Sequence, residues 1–200
     1  MVEHKMKTKK PAQQRSAKTY ELILDTAANL LEEIGFDKLN TNLICERAGL
    51  TPPALYRYFP NKYAVLTLLG ERMMAVQNAA LENWLLGLTS ADNTADQIKA
   101  MLLEQYQVTV AQKGGASIMR SLRSTPQLAD IRLNSHDKMT IRIVERQAAL
   151  DPAIDLETAG RRNRLTMEMG YAAIELLIDL PATDADQTMT DVATMISALG

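Results

Sequence analysis

Apolar residues recur along this 200-residue chain at intervals of three and four, and nowhere do apolar and polar residues alternate for more than a few positions. The first spacing stacks side chains on one face of an α-helix and the second is what a half-buried strand needs, so the chain reads as all-α. The stripe Tyr20, Ile23, Leu24, Ala27, Leu30, Leu31 and Ile34 sets a first helix, which Gly35 ends as a C-cap. Asn40 and Thr41 cap a short second helix that Gly49 breaks. Thr51 caps a third, with proline at its first position, where the missing N–H costs nothing. Pro60-Asn61 starts a long fourth helix that runs through Leu66, Leu69, Met73, Val76, Ala80 and Trp84 to Gly87. Helices are predicted over residues 95–112, 116–123, 127–149, 157–180 and 186–199, parted by Gly114-Gly115, Pro126, Asp151-Pro152 and Pro181.

Composition removes several classes. The single Cys45 excludes an intramolecular disulfide, and with His4 and His136 as the sole histidines a Cys/His zinc site cannot be assembled, so no metal and no cofactor is expected. No apolar run approaches the roughly 18–20 residues that span a bilayer, and no signal-peptide pattern opens the chain, so a cytoplasmic protein without membrane partners is expected. The net charge of −2 hides a gradient. Residues 1–20 hold Lys5, Lys7, Lys9, Lys10, Arg15 and Lys18 against Glu3, whereas residues 73–200 hold eleven basic and sixteen acidic side chains. Such a basic arm meets phosphates or is merely a solvated tail.

Residues 40–62, N-T-N-L-I-C-E-R-A-G-L-T-P-P-A-L-Y-R-Y-F-P-N-K, read as a helix-turn-helix. Ala48 is small where one helix crosses the other, Gly49 makes the turn, Leu50 pins it, and the capped third helix turns its first residues outward. Asn40, Thr41 and Thr51 lie at the caps. Pro52, Pro53 and Ala54 offer methylene and methyl groups to thymine methyls, and Arg57 offers donors to guanine or phosphate. Tyr56 and Tyr58 are placed on the rim with hydroxyls for phosphate oxygens, and Lys62 joins the N–H groups of the fourth helix in an anion site. Four of the chain's nine aromatic residues, Tyr56, Tyr58, Phe59 and Tyr63, crowd into this segment. Leu43, Ile44, Leu50, Leu55 and Phe59 are read as core. Cys45 is read as a small buried apolar residue.

Over residues 15–84 the chain resembles the DNA-binding domain of the TetR family of bacterial transcriptional regulators. The carriers are E-E-I-G-F, I-C-E-R-A-G-L-T in place of the family's I-A-x-x-A-G-V-S, L-Y-R-Y-F, and P-N-K-Y-A-V-L. Cys45 replaces a usual alanine, and Pro52 replaces a variable position that often reads bases with a polar side chain. Arg120 to Leu128 resembles the family's regulatory domain. The resemblance implies a repressor that leaves a palindromic DNA operator when a small molecule binds among the C-terminal helices and changes the spacing of two reading heads.

The expected organisation is a basic arm over residues 1–14, a DNA-binding domain over 15–60, a connecting helix over 61–88, and a ligand-binding and dimerisation domain over 89–200. Nine of eleven methionines lie in residues 73–200, where flexible thioethers suit an adaptable pocket or an irregular core. Trp84, Met101, Tyr106, Met119, Arg120, Met139, Met167 and Tyr171 are the candidate lining, and the scarcity of aromatics points to a small, mainly apolar effector. Leu165, Met169, Ala172, Leu176 and Leu180, with Met189, Val192, Ile196 and Leu199, form two stripes that suit a four-helix homodimer interface or an internal core. The alternatives are a helical ligand-binding protein that does not bind DNA, or an enzyme. Against the enzyme stands the lack of any nucleophile–base motif or Walker loop; Gly114-Gly115-Ala116-Ser117 reads as a helix joint.

Overall fold

The computed structural model describes residues 14–91 and 94–198, and among them the secondary structure is helical without a strand. The helices are α1 (Gln14–Lys38), α2 (Thr41–Ala48), α3 (Pro52–Tyr56), α4 (Lys62–Gly87), α5 (Ala95–Val110), α6 (Gly115–Ser124), α7 (Pro126–Leu150), α8 (Leu156–Asp179) and α9 (Ala185–Ser197). Gly35 leaves the helical region (φ 74°, ψ 176°) and ends the first helical run as expected, so that α1 is two runs divided at this residue.

Local chemistry explains most boundaries. Asn40 Oδ1 accepts from the Leu43 N–H at 3.0 Å, and Gly49 closes α2 in the left-handed region, donating to the Cys45 and Glu46 carbonyls. Asn61 Oδ1 caps α4 through the Ala64 N–H at 3.0 Å. Thr94 and Gln97 form a reciprocal capping box on α5, and Asp155 and Asp184 cap α8 and α9. Thr51 departs from expectation, because its side chain makes no capping bond. The two residues that follow are prolines, without N–H groups to offer, and the next donor, Ala54 N–H, already bonds the Thr51 carbonyl at 2.9 Å.

The helices divide into two compact units, one of residues 14–73 with 112–131 and one of residues 74–111 with 132–198. α4 and α7 each contribute to both. The first unit's core gathers Ile23, Leu24 and Leu31 of α1 with Leu39, Ile44, Leu55, Phe59 and Leu66, all essentially inaccessible to solvent. Tyr20 stacks on Phe59 with ring centroids 4.9 Å apart and meets Tyr58 edge-on at 5.8 Å. Met119, Leu122 and Leu128 fill the same core, which is why α6 and the start of α7 group with the N-terminal helices although they follow residue 89 in sequence. The joint before α6 is close-fitting: Gly114 is left-handed (φ 65°), and a Cβ there would lie 2.6 Å from the Ala28 carbonyl oxygen.

Candidate functional site

In the first unit, the α2–α3 pair presents one face to solvent. Asn40, Thr51, Pro52, Pro53, Tyr56 and Arg57 are exposed there, while Thr41, Ala54 and Lys62 are half-buried. The Tyr56 hydroxyl and Thr41 Oγ1 lie 3.0 Å apart, which ties the end of α3 to the start of α2. Arg57 donates through Nη2 to Ser16 Oγ at 3.2 Å and lies over the Tyr58 ring at 5.1 Å. A guanidinium has five N–H donors, so this single bond leaves most of them for a partner.

Tyr58 is not on the rim. It is 6% exposed, its ring packs on Tyr20, and its hydroxyl lies 2.7 Å from Ser16 Oγ. The residue after Arg57 turns its ring inward because the chain leaving α3 must cover the Tyr20–Phe59 stack. Lys62 is also more constrained than expected. It donates to the Phe36 carbonyl at 3.2 Å and its ammonium lies 4.3 Å from the Phe36 ring centroid. Asn40, Thr41, Tyr56, Pro60, Asn61 and Lys62 together line a shallow depression of about 150 Å³ beside α3. Burial pushes the Cys45 thiol above its usual range, consistent with an inert packed side chain. Residues 1–13, including the expected arm lysines Lys5, Lys7, Lys9 and Lys10, lie outside the described residues.

In the second unit, α4, α5, α7, α8 and α9 surround a cavity of about 500 Å³. Trp84, Met101, Met167 and Tyr171 line it as expected, while Tyr106, Met119, Arg120 and Met139 do not. Met119 lies in the core of the other unit, and Met139 is wholly buried on α7. The walls are mainly apolar, with a polar set that the sequence does not announce. Gln77, Asn78, Gln105, Ser135, His136 and Gln147 stand among Leu81, Ile98, Ile143 and Ile174. Many of these polar groups hold each other: Gln105 Nε2 donates to the Gln77 carbonyl at 3.0 Å, Ser135 Oγ to Asn78 Oδ1 at 3.0 Å, and Asn163 Nδ2 to Gln147 Oε1 at 2.6 Å. Gly170 lets α8 approach α5, since a Cβ there would meet Leu102 Cδ2 at 2.7 Å.

The missed polar set left one trace in sequence. Arg132, His136, Met139, Ile143 and Gln147 share one stripe of α7 at three-and-four spacing, so a histidine and a glutamine occupy positions where an apolar residue is the default.

The expected interface stripes separate on α8 and α9. Leu165 (50%), Ala172 and Leu176 (44%) are exposed, Met169 is half-buried, and Leu180 beyond the helix is 54% exposed. On α9 the stripe turns inward: Met189 and Ile196 are buried, with Ile196 lining the cavity, and Val192 is half-buried, because this face packs against α5. Leu199 lies outside the described residues. Among the described residues no helix is long and apolar enough to cross a membrane, and no cluster of three or more His, Cys, Asp or Glu side chains stands where it could hold a metal.

Residues 23–69 match the family described as bacterial regulatory proteins, tetR family. The tetracycline repressor protein class C of Escherichia coli is 40% identical over 58 residues, covering 29% of this chain and 26% of that protein. The HTH-type transcriptional regulator EthR of Mycobacterium tuberculosis is 38% identical over 74 residues, covering 37% and 32% respectively. The chain thus spans about a quarter to a third of the length of these curated relatives. The crystal structure of a TetR-family transcriptional regulator from Syntrophomonas wolfei superposes with a TM-score of 0.72 at 13% identity, covering 94% of this chain and 96% of that one. Residues 23–69 thus carry the sequence pattern of the bacterial regulatory proteins, tetR family, and over nine-tenths of its length the chain has the fold of the Syntrophomonas wolfei protein.

Proposed function

We propose that this protein is a cytoplasmic, homodimeric DNA-binding transcriptional regulator, a repressor that a small molecule releases from a two-fold symmetric operator, and that it catalyses no reaction. The observation that carries this reading is the exposed tip of α3. Pro52, Pro53, Tyr56 and Arg57 stand in solvent on a short helix fixed by the Gly49 turn and by the Thr41–Tyr56 contact. A rigid helix tip that shows methylene groups beside a guanidinium is what major-groove reading requires. Lys62 and Asn61 at the start of α4, and the basic arm ahead of α1, supply contacts to the flanking phosphates. Tyr58 serves by holding Ser16 and Arg57 in place.

The exposed row Leu165, Ala172, Leu176 and Leu180 is the surface where a second copy packs, which sets two reading heads one helical turn, roughly 34–36 Å, apart. The cavity of the second unit takes the effector, and a coupling of about 1–3 kcal/mol between effector and DNA changes operator affinity roughly 5-fold to 150-fold.

Selection of bound sequences from a random DNA pool tests the reading. Enrichment of a two-fold symmetric sequence with half-sites about 10 base pairs, or a multiple, apart is the expected result. A pool that stays random after repeated rounds refutes it.

A further inference from the structure

We infer that His136 is the specificity-determining contact of the cavity: its Nε2 accepts a hydrogen bond from a hydroxyl group on an uncharged effector with an apolar body. This rests on the reading of the cavity as an effector site.

The argument is one of hydrogen-bond valence. On α7 and α8, Arg132 Nη1 donates to both Glu168 carboxylate oxygens at 3.1 and 2.9 Å, and Arg164 Nη2 reaches Oε1 at 3.1 Å. His136 Nδ1 lies 3.1 Å from the same oxygen. A carboxylate clasped by two guanidiniums is ionised and only accepts, so Nδ1 carries the hydrogen. The imidazole side chain is 4% exposed. Burial is the largest influence on it and pushes its pKa below the usual histidine value, against the pull of Glu168 and with the push of Arg132 and Arg164. The neutral ring therefore keeps its lone pair at Nε2, on a side chain that lines the cavity.

The surroundings select what can meet that lone pair. Trp84, Met101, Ile143 and Ile174 supply apolar walls, and the Tyr171 ring stands edge-on to the imidazole with centroids 5.1 Å apart. A hydrocarbon would offer that acceptor no donor. A carboxylate would set an acceptor oxygen against that lone pair with no hydrogen between them. A hydroxyl on an apolar frame satisfies the acceptor and the walls together.

The test uses three probes of one shape, 4-butylphenol, 4-butylanisole and 4-butylbenzoate, titrated calorimetrically into the full-length protein while Trp84, its single tryptophan, reports occupancy of the cavity by fluorescence. The phenol is expected to bind about tenfold more tightly than the anisole, the size of one buried hydrogen bond. His136→Asn keeps a donor for Glu168 but has no group at the Nε2 position, and it should bring the two probes within about twofold. His136→Gln, whose amide oxygen reaches that position, should restore the preference for the phenol. Equal binding of phenol and anisole by the unmodified protein, with Trp84 responding to both, overturns the role of His136 and leaves the effector site standing. A benzoate that binds most tightly also overturns it, because the imidazole would then be the charged partner of an anion. If no probe binds, the inference and the effector reading fail together. The comparison of probes on the unmodified protein stands even where a variant does not fold.

Discussion

Replacing Gly114 by alanine should cost far more than a methyl group on a surface joint normally does. The residue sits at φ 65°, ψ 12°, a conformation that penalises any Cβ by roughly 1–2 kcal/mol. The added carbon would also stand 2.6 Å from the Ala28 carbonyl oxygen, a backbone atom in the middle of α1 that cannot swing aside as a side chain would. Relieving that contact requires the α5–α6 joint to retreat from α1, loosening Met119 and Leu122 in the core of the first unit. Together the two effects come to about 2–4 kcal/mol. For a chain of this size that lowers the thermal midpoint by roughly 5–15 °C. Gly160→Ala is the matched control. It lies within α8 with open space where its Cβ would go, so it should gain about 0.5–1 kcal/mol. Urea unfolding followed by circular dichroism, at one protein concentration, measures both. A Gly114→Ala protein within about 0.5 kcal/mol of the parent would refute the packing of the α6 joint on α1.

Acidification should weaken the second unit in two stages. His136 is held neutral by burial, so the unfolded chain takes up a proton first, and stability is full above the ordinary value of 6.5 and falls as the pH drops below it. Glu168 is opposed by burial, but His136, Arg132 and Arg164 together keep its carboxyl below the usual 4.5, so its contribution is lost at still lower pH. His136→Asn should flatten the first stage in a pH series of urea midpoints and leave a reduced second stage, which Arg132 and Arg164 maintain. Tyr58→Phe removes the hydroxyl 2.7 Å from Ser16 Oγ and should cost about 1 kcal/mol by the same unfolding assay; no change would mean that Ser16 does not anchor the end of α3. Arg72→Ala breaks a two-pronged pair with Glu21 on an exposed surface and should cost no more than about 1 kcal/mol, despite bond lengths of 2.7 Å.

The helices were legible because caps and glycines act locally. Asn40, Gly49, Asn61 and Thr94 each behave as their chemistry dictates, whatever packs beyond them. Thr51 shows the limit, since consecutive prolines removed the donors that a capping side chain needs. Partners were less legible than elements. A stripe such as Met189–Ile196 announces that it will be buried without naming what buries it, and α5 of the same chain does so here. Met119 likewise reads as apolar in either unit. Tyr58 and Tyr56 differ by two positions in a region of short helix, and only the packed aromatic cluster separates the buried ring from the exposed one. The cavity's polar set escaped because Glu168 and His136 lie 32 residues apart, joined by folding alone.

The central claim is that the α3 tip binds DNA, and the measurement closest to it is the affinity of the full-length protein for its selected operator across a salt series, with Arg57→Ala alongside. The unmodified protein should bind with an affinity that falls steeply as salt rises, about 0.9 log unit per log unit of salt for each phosphate neutralised. Arg57→Ala should weaken binding by about tenfold or more while leaving the thermal midpoint in place. A parent protein that does not distinguish its operator from random DNA, or an Arg57→Ala protein that binds as well as the parent at every salt concentration, would contradict the claim.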